Sequence, residues 1–311
     1  MGAERVATGM SLARAEDSAP SRMLVPLKPA DLVISGSSLL GAGLALAGRA
    51  HGWEEAVATF LLLSLLPPTL RALSVRWHSL SIALLADFSP AYVLLLAYGN
   101  LAPVADFFKV PLADNRLQLL DERIFGLQPA VAIAPHVTGW ESGFLMLCYC
   151  SYYVWPVVLG GLLYFYRGEA FFDRWSLAVM TLLVLNFACY MAVPAVGPRF
   201  ALADSFTTPV TGALGAPLFR VFLRSPFYRD CFPSGHAAMS LMVLWHAWRR
   251  FRPFFWVALL PCTGIVVATV AMRFHYGVDL LAAVPLTAVA YALSGRIYAA
   301  APRGIAVLDE R

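Results

Sequence analysis

The chain has 311 residues, 59% hydrophobic and 14% charged, with a formal net charge of +4 and a mean hydropathy of +0.68. Soluble domains carry about 25% charged residues, and basic residues scattered through apolar sequence form no stripe for nucleic acid, so both classes are excluded. Apolar runs of about twenty residues also exclude a transmembrane barrel, which alternates in segments of about ten. What remains is an all-α, polytopic membrane helical bundle.

In chain order, residues 1–30 lack the apolar core and cleavage site of a secretory signal and read as a flexible cytoplasmic tail, polar from Ser11 to Lys28. N-terminal transmembrane helices are expected within 31–104, with spans at 31–50, 54–70 and 79–103. The third contains Asp87. An intramembrane acid is a functional candidate by default, but this one lies toward the inner end and is read as a structural hydrogen bond. Residues 104–141 set Asp114, Arg116, Asp121, Glu122 and Arg123 among apolar positions, the pattern of an amphipathic helix along the interface. Further spans follow at 142–166, 175–196, 235–248, 254–272 and 276–297, about eight in all. The sixth is short. A long linker rich in Gly, Pro and Arg, residues 197–234, separates the fifth from the sixth. Structureless segments of that length are functional or disordered. The division expected is a catalytic membrane domain at 105–297 and a cytoplasmic tail at 298–311, with no internal repeat.

Lys and Arg near span ends set orientation. With the N-terminus inside, the inner segments hold Arg5, Arg14, Arg22, Lys28, Arg71, Arg76, Arg167, Arg174, Arg249, Arg250, Arg252, Arg296 and Arg303. The outer face holds Arg199, Arg220, Arg224, Arg229 and Arg273, four of them in the long linker. Both termini then lie inside. The five cysteines (Cys148, Cys150, Cys189, Cys231, Cys262) show no metal or redox spacing, and no disulfide, metal or cofactor is expected.

Two motifs open apolar runs on the outer face. In Pro233-Ser234-Gly235-His236, Ser is a good helix cap, Gly lets backbone N–H groups approach a ligand, and a helix N-terminus favours an anion. The segment reads as an anion cradle rimmed by an imidazole; the structural alternative is an ordinary capped helix with a water-facing histidine. In His275-Tyr276-Gly277-Val278-Asp279, a helix would place His275 and Asp279 on one face. The carboxylate would then fix the tautomer and free the other nitrogen as base or nucleophile, or merely anchor the helix end. Arg199, after Gly197-Pro198, suits bidentate phosphate binding. Arg273 is a second candidate, with snorkelling as its alternative. Arg220, Arg224 and Arg229 are unranked. His246 reads as packing; His51, His78 and His136 form no constellation, although His136 is near enough to line the outer site.

Arg199, the Pro-Ser-Gly-His motif and His275 with Asp279 occur in the order and spacing of the type 2 phosphatidic acid phosphatase (PAP2) superfamily, which residues 142–297 resemble. The resemblance implies a six-helix core and no metal. It implies His275 as nucleophile forming phosphohistidine, Asp279 as its orienter, His236 as general acid, and Arg199, Ser234, Gly235 and Arg273 around the phosphate. Two cations of the phosphatase pattern are replaced, one by Ala192 and a Ser-Arg pair by Ala268-Thr269. What remains, with Asp121 to Pro129, is closer to the inositol-phosphorylceramide synthase and sphingomyelin synthase branch. That branch implies a membrane lipid substrate and transfer of a phospho-headgroup to a lipid or polyol alcohol. The expected location is a bacterial inner membrane, with the site on the outer face by the Lys and Arg distribution and the even span count. The alternatives are a lipid phosphate phosphatase using water and a lipid or anion transporter. Transporters usually show paired halves and midplane polar groups, and neither is visible.

Overall fold

The computed structural model describes residues 27–77, 79–224 and 227–301, which contain helices and no strand. The rest of the expected tails, with Arg5, Arg14, Arg22 and Arg303, lies outside the described residues, as does His78. The N-terminal part comprises α1 (Pro29–Gly48), α2 (Trp53–Trp77), α3 (Leu80–Asp87), α4 (Ser89–Gly99) and α5 (Leu101–Phe108). Next come α6 (Asp114–Phe125), α7 (Pro129–Ile133), α8 (Trp140–Cys150), α9 (Val154–Arg167) and α10 (Glu169–Ala192). Short α11 (Pro198–Ala201) and α12 (Gly215–Phe222) lie in the long linker, before α13 (Gly235–Arg250), α14 (Arg252–Ala271) and α15 (Gly277–Ala300).

Among the described residues, six units are long and apolar enough to cross a membrane: α1, α2, the α8–α9 pair, α10, α14 and α15. The other two expected spans take different forms. The third is not one helix. It breaks at Phe88 and Asn100 into α3, α4 and α5; at the first break a proline near the start of α4 supplies no N–H to continue the ladder of α3. It still runs the length of the bundle. Asp87 pairs with Arg71 and Lys28 at one end, and Phe107 lies so close to Gly48 at the other that an added Cβ would come within 3.0 Å. The sixth, α13, has 16 residues, about 24 Å of axis. It runs antiparallel to α10, with Gly235 against Asn186 at one end and Arg250 over Phe171, 5.2 Å from the ring, at the other.

Helix α10 is the central post. Leu177, Ala178, Leu182 and Leu183 are buried on it against α1, α9, α13 and α15. Basic residues counted as inner gather at its N-terminal end: Lys28 binds Asp173 at 2.8 Å, and Arg174 lies over Tyr298. There Asp87 belongs to a buried network. Arg71 holds Asp31 at 2.8 Å and also Asp87, and Lys28 holds Asp87 at 2.7 Å. Charges this deep require partners, so the structural hydrogen bond read for Asp87 is an ion pair joining α1, α2, α3 and α10. His246 is buried packing, its Nδ1 3.0 Å from the Met242 carbonyl and its ring against Trp175.

The helix expected along the interface is α6, and its Arg116, Glu122 and Arg123 are exposed. In α6, Asp114 and Asp121 instead point into the bundle and are buried, while Leu119, Leu120, Ile124 and Phe125 are exposed. The burial of these two acids has a physical cause: backbone N–H groups at this end of the bundle lack intrahelical partners and take the carboxylates as acceptors.

Candidate active site

The site lies at the C-terminal end of α10, where α13 and α15 begin and α14 ends. Its framework starts with α6. Asp114 accepts the backbone N–H groups of Val196 (3.0 Å) and Gly197 (2.9 Å) and the Tyr276 hydroxyl (2.9 Å). Asp121 accepts those of Gly277 (2.9 Å) and Val278 (2.7 Å), the first two of α15. Burial pushes the Asp121 carboxyl up, against the pull of those two N–H groups. Two acids seven positions apart thus pin the segment carrying Arg199 and the segment carrying His275. Gly197 has φ +82° and sits so near the Phe274 carbonyl that a Cβ would approach to 2.5 Å. Only glycine fits this crossing, and it delivers the Arg199 N–H to the Arg273 carbonyl at 2.8 Å.

His275 precedes α15, so it does not share a helical face with Asp279 as the spacing predicts. The chain turns at the N-cap, Tyr276, and Asp279 in the first helical turn reaches back. Its Oδ2 accepts the Tyr276 N–H at 2.8 Å and lies 3.2 Å from His275 Nδ1. A nearer acceptor faces that nitrogen, the Cys231 carbonyl at 2.7 Å. Two acceptors on Nδ1 mean that Nδ1 carries the proton and Nε2 keeps its lone pair. The Cys231 thiol donates to Asp279 at 2.9 Å, and burial pushes that thiol well above its ordinary range, keeping it a neutral donor. All five cysteines are free. Cys231 Sγ, His275 Nδ1 and the Asp279 carboxylate lie within 4.8 Å of one another, but a cation there would have to displace the His275 Nδ1 proton.

His236 stands in the first turn of α13. The Ser234 side chain caps that helix by accepting the Ala237 N–H at 3.3 Å, and Ser234 is fully buried. At Gly235 a Cβ would meet Asn186 Oδ1 at 2.5 Å and the Tyr190 hydroxyl at 2.9 Å, so any larger residue displaces these two side chains. Asn186 in turn donates to the Pro233 carbonyl at 3.1 Å. Tyr149 stacks on the His236 ring at 4.1 Å, and Tyr152 lies at 4.2 Å. The ring centroids of His236 and His275 are 6.2 Å apart.

Arg199, Gly235 and His236 line one polar cavity of about 100 Å³, with Asp230, Asn186 and five tyrosines from α8, α10, the α8–α9 turn and α4. Arg199 is 3.3 Å from Asp230, which also accepts from Tyr98 of α4, and its Nε has no partner. A guanidinium with a free donor edge, facing an imidazole in a small cavity, suits a phosphoryl oxygen. Arg273 is placed elsewhere: its guanidinium binds the Thr208 carbonyl and lies 4.1 Å from the Phe206 ring. Arg229 pairs with Asp106, and His136 is exposed beyond the cavity lining.

Asp230, Asn186, Tyr149, Tyr152 and the Cys231 carbonyl were not singled out from sequence. Asn186, an amide within an apolar run, carried the one usable signal. A backbone carbonyl carries none.

The family model described as PAP2 superfamily matches residues 119–293, over half of the chain and including Arg199, His236, His275 and Asp279. The chain belongs to the PAP2 superfamily. A PA-phosphatase related-family protein of Dictyostelium discoideum is 30% identical over 107 residues, covering 32% of this PAP2 chain and 19% of that protein. The aligned part is therefore about a fifth of that relative's length. No solved structure matches. This PAP2 protein is integral to the membrane, with its polar cavity at one end of the bundle and the inner-type basic residues at the other.

Proposed function

We propose that this protein is a PAP2-type phosphotransferase or phosphatase that cleaves a lipid phosphoester through phosphohistidine. The observation that carries the reading is the pair of acceptors on His275 Nδ1, the Cys231 carbonyl and Asp279. They leave Nε2 with its lone pair, on a ring whose centroid is 6.2 Å from that of His236. Nε2 attacks phosphorus, the P–O bond to the lipid alkoxide breaks, and His236 in its protonated form gives that oxygen a proton. Arg199 neutralises charge on the phosphoryl oxygens. Water or an alcohol then attacks phosphorus, His236 takes its proton, and the P–N bond breaks. We favour an alcohol acceptor, because the Gly-Pro-Arg and Asp-Glu-Arg-Ile-Phe-Gly segments resemble the ceramide-directed synthase branch. Residues 105–297 would form the catalytic domain, with the α1–α5 helices beside it.

The test is trapping. Wild type incubated with labelled lipid phosphate and quenched should retain acid-labile, alkali-stable phosphate on protein, and His275→Ala should retain none and turn over no substrate. Near-normal turnover by His275→Ala would refute the mechanism. We further propose an outward-facing site in a bacterial inner membrane, from the basic residues at the far end. A single cysteine at Ala213, in a cysteine-free background, should react with an impermeant thiol reagent on intact cells, and one at Arg250 only after permeabilisation. Reversed labelling would place the site in the cytoplasm.

A further inference from the structure

An apolar cavity of about 320 Å³ lies next to the polar cavity, between α3–α4, α9 and α10. Leu95, Tyr152, Tyr153 and Leu183 line both, so these four side chains form the wall that the two spaces share. Met239, one turn along α13 from His236, also faces the apolar one. Along α10 its wall descends from Leu183 to Phe172, about 16 Å of helix axis. Leu85, Leu95, Tyr153 and Val157 line it while remaining 51%, 51%, 41% and 42% exposed. Its mouth is therefore lateral, between α4 and α9, toward lipid. The wall from α3 and α4 lies outside the stretch matched by the family model.

The geometry points to this cavity as the seat of one hydrocarbon chain of the lipid phosphoester, entering sideways between α4 and α9 while the phosphate occupies the polar cavity. The assignment rests on the proposed lipid phosphoester chemistry and adds where the chain goes. Lipid tails are as apolar as the cavity wall, so leaving the bilayer for it gains little hydrophobic energy. Its contribution is register. The chain fixes how far the phosphate stands from His275, and the phosphate supplies the affinity.

The full-length protein in nanodiscs would be irradiated with a single-chain glycerophosphate lipid carrying a diazirine midway along its acyl chain. Label should concentrate on α9 and α10 around Val157 and Val179. Excess unlabelled lipid phosphate should compete, and the matching lipid without phosphate should not. Val179→Trp fills the cavity and Val157→Trp blocks its half-exposed mouth, which tolerates a larger ring; each should lower this label at least fivefold. Leu44→Trp, in a separate apolar cavity on the α1 side of α10, should leave it unchanged. Label spread equally over exposed lipid-facing residues such as Trp256 and Leu260, or unaffected by Val157→Trp, would overturn the assignment. Label mapped to the cavity with no phosphate or head group released would sink the proposed chemistry and leave the chain site standing.

Discussion

Asp121→Ala tests whether the interfacial helix holds the site together. Asp121 is fully buried and accepts two backbone N–H groups, at 2.9 and 2.7 Å, from the first turn of α15. Alanine leaves both donors buried without acceptors, and each orphaned donor costs about 1–3 kcal/mol, so the turn loses about 2–6 kcal/mol. Water entering from the end of the bundle offsets part of this, which favours the lower half of that range. If about 3 kcal/mol falls on the alignment of His275, two residues upstream of Gly277, kcat drops about a hundredfold. Asp121→Asn keeps one acceptor oxygen and should fall between the two. The assay is phosphate or head-group release with KM and kcat resolved, alongside thermal unfolding of the purified protein. A positioning role lowers kcat more than it raises KM, and the asparagine variant recovers part of the loss. An alanine variant with unchanged kcat and Tm would refute the reasoning.

Arg199→Ala should lower kcat by about 10²–10³, the usual cost of one preorganised donor at the reacting group, whereas Arg273→Ala should change kcat less than threefold, since its guanidinium is turned to Thr208; steady-state kinetics of the two variants side by side checks this. Arg71→Ala removes the side-chain partner of Asp31 and leaves Asp87 to Lys28 alone at the far end of the bundle; it should destabilise by about 3–5 kcal/mol, read as a lower Tm, with kcat of the surviving folded protein unchanged.

The helical membrane class was legible because apolar runs of spanning length are a strong signal in composition alone. The breaks in the third span were not anticipated, since Asp87 and the prolines of that stretch left its overall hydropathy high. The two motif histidines lie at helix starts, as Ser234 and Asp279 indicate. The detail around His275 escaped. Its nearest partner is the Cys231 carbonyl, and every residue has a carbonyl. For α6 the spacing of Asp114 and Asp121 was visible, but their direction was not. Pattern reading sends acids to water, and here two helix and loop termini needed acceptors. Arg273, close in sequence to His275, has φ +66°, a left-handed turn that swings its side chain away from the cavity. That turn has no mark in the residue's identity.

The partners of Asp121 lie 156 and 157 positions downstream, and this distance bears on biosynthesis. When α6 leaves the ribosome, α15 does not yet exist, and a carboxylate destined for the dry interior must wait through the insertion of four more long apolar units. Asp114 waits 82 positions for Val196 and 162 for Tyr276. Every shorter nascent chain therefore carries α6 acids lacking their final partners, and the Arg199 and His275 segments cannot be locked together until the last helix is in place. Catalytic competence is thus a property of the finished bundle, and a chain arrested before α15 would present quality-control proteases with unmatched acids at the membrane surface.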